Sequence, residues 1–409
     1  MPSEPREHTA KLTVGAGRGG TELTNFDALD IVHDMRAPGS PWTVTFWHSD
    51  GAARAANAWA NVKSLCKLEE TVRLSIDDAE QVHGRIEKVT TRTGPDGRTL
   101  TVSGRDLAAR AMDWDADPTI HLGGLTLGAA YELLFRDVYA VPVILVTGAE
   151  QAEVQSRPRR DRTPRTGRTR TRVSRAHTVD ALKINAGDKI WSIADQLARR
   201  AGYLLWCCPV PESTAGIVVD VPASTGTPLF TFERTQVANG VLRGNMLESS
   251  YDLDGGDVPT VVTAFCSAPL DANDDAHGRA AIPNTRYASH PGVAHDGTLS
   301  GGLIPKPRYI KPRRTRTLAD VEKAADRVVA EAMADMEVYE LTVRGWGQNG
   351  RLYAANTLAT LRDDTELPPI QGTWLVTRVA FHRSREGGTT TRLRLVPVGA
   401  IRVFPTEAA

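Results

Sequence analysis

"VRLSIDD" (72–78) and "LATLRDD" (358–364) both run an apolar–polar alternation into a pair of aspartates, and the segments downstream of the two pairs agree as well. After the first come "GRIEKV" (84–89), a glycine-containing turn and "RTLTVSGRDL" (98–107). After the second come "GTWLVTRV" (372–379), the turn "SREGG" (384–388) and "TTTRLRLVPVGA" (389–400). Strand, acidic turn, short excursion, strand from a glycine, hairpin, strand: the order and the lengths match within a few residues. The echo predicts two similar small β-barrels in one chain, separated by inserted α/β pieces. Three copies of such a chain would set six similar barrels around one axis. The aspartate pairs fall at matching turn positions, which favours a turn role over the paired-carboxylate chemistry of a glycosidase.

Outward from the first copy, "PWTVTFWH" (41–48), "ETVRLSID" (70–77), "HGRIEKVTTRT" (83–93) and "RTLTVSGRD" (98–106) alternate as strands, with "GPDG" (94–97) as a hairpin turn. A short helix is expected over 105–113 and a longer one over 126–139. In "GDKIWSIADQLARRAG" (187–202), Asp188 or the preceding turn caps a helix. Ile190, Ile193, Ala194 and Leu197 make its apolar stripe and Gly202 ends it. "YLLWCC" (203–208) and "GIVVDV" (216–221) read as a strand pair. Strands resume from Pro228 through "VPTVVTAFCSA" (258–268); 269–312 reads mostly as loop, 318–340 as helix, and the remainder as β. The expected fold class is mainly β with α+β insertions. The first β-barrel takes 8–114, an α/β domain 115–224, the second barrel 225–268 with 338–405, and an insertion of loop and helix 269–337.

With 409 residues and a formal net charge of zero, no global field draws the chain to nucleic acid or membrane, and a charged partner must be read by a local patch. The best candidate is 157–175. It holds nine arginines (Arg157, Arg159, Arg160, Arg162, Arg165, Arg168, Arg170, Arg172 and Arg175) against one aspartate, is broken by two prolines, and can bury no core face. Contact with a neighbouring protein, a tape-measure protein or DNA in a channel fits such a segment. The N-terminus lacks an apolar signal core and no run of about 18 apolar residues occurs, so neither a standard secretion signal nor a membrane span is expected. Cys66, Cys207, Cys208 and Cys266 include no C-x-x-C pair and read as reduced structural cysteines.

Catalytic and cofactor motifs are not found. "GAGRGG" (15–20) has dinucleotide-loop spacing but is followed by "TELTNFD", which does not read as a helix that could hold pyrophosphate. "DANDDAHG" (271–278) places its glycine wrongly for a calcium loop, and His290 and His295 have no third ligand nearby. No catalytic residue, cofactor or metal is expected, and the chain is read as a non-enzyme.

The start of 187–202 resembles a LysM module, which would imply peptidoglycan binding and a tail-associated wall-binding or wall-degrading protein. LysM needs a second helix, however, and here a hairpin comes next. Four motifs in order carry a wider resemblance: "VSGRDLAARAMDWDADP" (102–118), "AGDKIWSIADQLARRAGYLLWCCP" (186–209), "VRGWGQNGRLYAANTLATLRDD" (343–364) and "GTWLVTRVAFHRSREGGTTTRLRLVP" (372–397). Together they resemble the baseplate hub protein of Mu-like contractile phages, related in fold to the N-terminal part of type VI secretion spike proteins. The resemblance implies a homotrimer with two tube-like barrels per chain in a pseudo-sixfold ring. Its partners would be a hexameric tail tube, a trimeric spike and other baseplate proteins. It would be assembled in the host bacterial cytoplasm and located in the virion tail. The arginine segment 157–175 departs from that pattern.

Overall fold

A computed structural model describes residues 8–15, 20–48, 60–95, 97–123, 125–135, 143–145, 153–155, 178–180, 183–209, 215–236, 242–256, 258–259, 261–265, 283–287, 306–310 and 318–401. The first half is β1 (Ala10–Val14), β2 (Thr21–Leu23), β3 (Ala28–Asp34), β4 (Pro41–His48), β5 (Thr71–Ile76), β6 (Ala79–Gly94) and β7 (Gly97–Asp106). Period-two alternation does the sorting: Val72, Leu74 and Ile76 are buried, while Arg73 between them is exposed. The glycine-rich stretch leads into the strand β2, which removes the helix a dinucleotide site would need. The helix expected over 105–113 is shorter. β7 runs to Asp106, then a tight turn (Leu107–Ala109) and one helical turn (Arg110–Asp113) follow.

The α/β unit holds α1 (Leu127–Phe135), β8 (Val143–Leu145), β9 (Glu153–Gln155), β10 (Thr178–Asp180), α2 (Ile190–Ala201), β11 (Leu204–Pro209) and β12 (Ala215–Asp220). The apolar stripe of α2 is buried as expected, against Tyr131 of α1, whose hydroxyl donates to the Ala194 carbonyl at 3.0 Å. Gly202 ends the helix in the left-handed region (φ 85°), a conformation that favours glycine. Asp188 does not cap it; its carboxylate accepts from the Asn185 amide at 2.7 Å instead, and Lys189 occupies the cap position. β11 pairs antiparallel with β12 and β12 parallel with β8, so α2 feeds a mixed sheet where LysM would have a second helix.

The second half opens with β13 (Phe230–Gln236), β14 (Leu242–Gly244) and β15 (Met246–Leu253). An insertion comes next: β16 (Val261–Phe265), β17 (Pro283–Tyr287), β18 (Pro307–Ile310) and α3 (Leu318–Met336). β16 was expected in the second barrel, but among the described residues it pairs with β17 and β18 alone, and those two strands lie in the region expected to be loop. α3 stops at Met336 because Val338, Tyr339, Leu341 and Val343 bury side chains as a strand. The half is completed by β19 (Glu337–Arg344), β20 (Gly347–Gln348), β21 (Arg351–Leu352), β22 (Thr357–Asp363), β23 (Ile370–Ser384) and β24 (Gly388–Pro397).

The two halves repeat one sheet plan. β4 pairs β7 as β19 pairs β24; β6 pairs both β5 and β7 as β23 pairs both β22 and β24; β3 and β15 flank β4 and β19. A bulge sits at the same place in both long hairpins, at Glu87 (between Ile86 and Lys88) and at Thr377 (between Val376 and Arg378). Counting from the bulges makes Val72, Leu74 and Ile76 equivalent to Ala359, Leu361 and Asp363, one residue away from the aspartate-on-aspartate match in the sequence. The two pairings also differ near the turn, where β6 carries an extra residue, Gln81, between the partners of Leu74 and Ser75. Asp77 and Asp78 are therefore turn residues with positive φ (49° and 65°), whereas Asp363 faces inward and is fully buried. The halves also do not stand apart. β23 pairs with β3, making one 14-stranded sheet, and a single apolar core runs from Leu12 and Trp42 to Trp374 and Leu395.

Candidate interaction surfaces

The seam between the halves shows how one unit receives the other. β23 carries β24 along one edge; its other edge is taken first by β22 and then, from Arg378 to Arg383, by β3. The register sets Arg378 opposite Asp34, Phe381 opposite Ile31 and His382 opposite Asp30. One face of the seam is buried, with Val379, Phe381, Leu29 and Ile31 closed from solvent and His33 edge-on to Phe381 at 6.0 Å. On the other face His382 Nδ1 lies 2.6 Å from Asp30 Oδ1.

Among the described residues the equivalent edges elsewhere are open. β6 is as long as β23, but β5 covers its outer edge only as far as Arg85; among the described residues no strand pairs with that edge over 88–94. β15, the counterpart of β3, pairs with β19 on one side and with no described strand on the other. Exposure records the missing neighbour. Thr91 is exposed where Phe381 is buried, and Leu253 is 55% exposed where its counterpart His33 is 2% exposed. Lys88 and Arg92 line one open edge; Glu248, Asp252 and Asp254 line or end the other.

The sheet face opposite the core is polar and carries both signs of charge. Thr43, Thr45, Thr99, Thr101, Ser103 and Arg105 present it in the first half. Arg105 bonds Glu87 and Asp113 (2.9 and 2.7 Å), and Arg392 bonds Glu340 at 2.7 Å in the second half. Such paired charges leave a hydrated face without a strong net field.

Two buried carboxylates hold the units in place. Asp106 accepts from the backbone N–H groups of Ser40 (2.7 Å) and Ala109 (3.0 Å), tying β7 to the β3–β4 turn; Ser40 Oγ also reaches the Cys207 carbonyl of the α/β unit at 3.4 Å. Burial pushes the Asp106 carboxyl up to about 6 despite those hydrogen bonds, and burial lowers nearby His33, bonded to Ser40 at 2.9 Å, to about 4. Asp363 accepts from Tyr339 Oη and Thr365 Oγ1. Burial works to raise its carboxyl, but those bonds and the Arg234 charge outweigh it and hold it below the usual carboxylate range.

Neither a family model nor a curated protein matches the sequence. Solved structures do match it, over nearly its whole length. The tail protein from Neisseria meningitidis MC58 is similar at TM-score 0.68 and 18% identity, covering 97% of this chain and 98% of its own. The chain shares the fold of this tail protein. The 43 kDa tail protein of prophage MuSo2 from Shewanella oneidensis gives TM-score 0.70 at 14% identity, over 96% and 99% of the two chains. An Escherichia coli type VI secretion component, described as structurally similar to the T4 tail proteins gp27 and gp5, gives 0.50 at 10% identity over 97% and 79%.

Within this tail-protein fold the nine arginines of 157–175 lie outside the described residues, as do 271–278, His290 and His295. Among the described residues no group of His, Cys, Asp or Glu is arranged to hold a metal, and no helix is long and apolar enough to cross a membrane. Cys66 and Cys207 are buried, and neither forms a disulfide among the described residues. Trp191 is half-buried against the α/β core, and Ile193 is fully buried. Sequence reasoning missed the open edges and Asp106. The polar run Thr90–Thr91–Arg92–Thr93 beside the apolar Val379 and Phe381 of its echo was the available signal for the first.

Proposed function

We propose that the chain is a structural baseplate hub of a contractile tail, joining a hexameric tail tube to a trimeric central spike and closing the tube end without catalysing a reaction. The observation that carries this reading is the repeated sheet unit. A tube end with six equivalent positions needs six like edges, and a threefold particle supplies them only if each chain carries the unit twice. The full-length likeness to tail proteins supports it. In this reading each half acts as one small tube-like barrel, with residues 8–114 in the first and 225–256 with 338–401 in the second. The polar sheet face lines the axial passage, other baseplate proteins surround the ring, and assembly takes place in the host bacterial cytoplasm. The segment 157–175 contacts a neighbouring baseplate protein. Mass photometry of the purified chain tests the hub directly, with a particle of three chains expected; a closed dimer would sink it.

A further inference from the structure

Among the described residues the chain holds one complete seam and the two unmated halves of another. In the complete seam the bulged hairpin strand β23 pairs with β3. The unmated halves are β6 over 88–94, the counterpart of the 378–384 part of β23, and β15, the counterpart of β3, each with an outer edge that no described strand covers there. Edge N–H and C=O groups left in this way are templates for another strand. β6 and β15 lie in different halves of one continuous sheet, with β23–β3 between them in the strand order. The partner each needs is therefore offered by a second copy of this chain.

We infer that β6 of one copy pairs antiparallel with β15 of the next, in the register of the internal seam. Transferring Arg378↔Asp34 through Arg383↔Leu29 by way of the two bulges sets Lys88 opposite Asp254, Val89 opposite Leu253, Thr90 opposite Asp252 and Arg92 opposite Ser250. The side chains complement one another in that register. The internal seam sets Arg378 against Asp34 and His382 against Asp30; the new one sets Lys88 against Asp254 and puts Arg92 diagonal to Glu248 and Asp252. On the opposite face Leu253, now 55% exposed, meets Val89 and is covered, as His33 is at the internal seam. A one-residue slip would put Lys88 opposite Leu253 and turn every side chain to the wrong face.

The contact is heterologous, so repeating it either closes a ring or builds a filament. For the number of copies in that ring, the inference rests on the hub reading. Cysteine pairs test it. Neighbouring cross-strand pairs alternate between wide and narrow spacing, so two adjacent ones are needed: Val89→Cys with Leu253→Cys, and Thr90→Cys with Asp252→Cys. Under mild oxidation at least one pair should link chains covalently, up to three and no further. Ala380→Cys with Val32→Cys, directly opposite in the internal seam, calibrates bond formation within a chain. The unsubstituted protein, whose Cys66 and Cys207 are buried, is the blank. A trimer by mass photometry that yields no link at either pair overturns this interface and leaves the hub standing. Links that continue beyond three chains support the interface and overturn the trimer. A chain that stays single overturns both. As a second arm, Lys88→Glu with Arg92→Glu should weaken assembly by roughly tenfold or more, and adding Asp252→Lys with Asp254→Lys should restore it; weakening without restoration contradicts the register.

Discussion

His382 on β23 sets its Nδ1 2.6 Å from Oδ1 of Asp30 on β3, across the seam where the two halves of the chain become one sheet. Both side chains are about half exposed, so the pair fixes register more than it stabilises. The stabilising contact is one residue away, on the other face. Phe381→Ala, removing a ring only 1% exposed, should cost about 3–5 kcal/mol, while His382→Ala should cost under about 1 kcal/mol. Urea unfolding of both variants checks the contrast; equal effects would show that the seam is not packed as described.

Gly84 and Gly104 let β6 and β7 approach beneath Trp42. A Cβ on Gly104 would sit 2.0 Å from the Arg85 carbonyl oxygen, and one on Gly84 2.3 Å from that of Arg105. Backbone cannot step aside as a side chain can. Gly104→Ala and Gly84→Ala should each lower the melting temperature by well over five degrees or abolish soluble protein. In the other half the counterparts are Leu395 and Trp374, and Trp374 packs against Tyr339 at 6.1 Å, so the same volume is filled from a different strand.

Asp106 should leave a signature in pH. Its folded pKa is raised to about 6 against about 4 unfolded, so its contribution is fully present below about 4 and is lost as pH rises through 6. His33, lowered to about 4, works in the opposite sense and remains in both proteins when Asp106→Asn is compared with the parent. The stability of the parent relative to the variant should therefore fall by up to about 1.4 kcal/mol per pH unit between pH 4 and 6. A flat difference across that window would contradict the buried, desolvated placement.

Deleting 157–175 should shift the melting temperature by no more than a few degrees, since an arginine-rich, proline-broken segment buries little apolar area. DNA binding that weakens with salt and disappears on deletion would assign the segment to nucleic acid instead of a protein neighbour.

Trp191→Ala should cost about 1–3 kcal/mol, less than for a fully buried ring, because Trp191 only leans on the α/β core. The variant and the parent should be equally indifferent to peptidoglycan sacculi; a loss of sacculus binding without a loss of stability would revive a wall-binding role.

Much of this fold was legible because strand periodicity is written in side chains. The alternations at 41–48 and 98–106, the hairpin glycines at 94 and 97, and the stripe and terminal Gly202 of α2 each announce their element by residue type. Edge pairing has no such marker, because every residue but proline offers the same N–H and C=O. That is why sequence alone puts β16 in the wrong sheet and does not reveal the β23–β3 seam. Register is obscured for a related reason. Two aspartates follow an alternation in both segments, and matching them by identity makes a buried Asp363 the apparent twin of a turn aspartate, one residue out of the paired register. The open edges are legible only by comparing the two halves, where "KVTTRT" stands against "RVAFHR".

The charges on the two open edges also bear on what the chain avoids. If β6 met another β6, Lys88 and Arg92 would face their own kind, and two β15 strands would bring Glu248 and Asp252 together. Like-with-like mispairing is thus disfavoured on both edges, while the mixed encounter is attractive. Before assembly, edges charged in this way would protect the chain against symmetric misassociation. Neutralising either edge should make the isolated protein stickier and less discriminating.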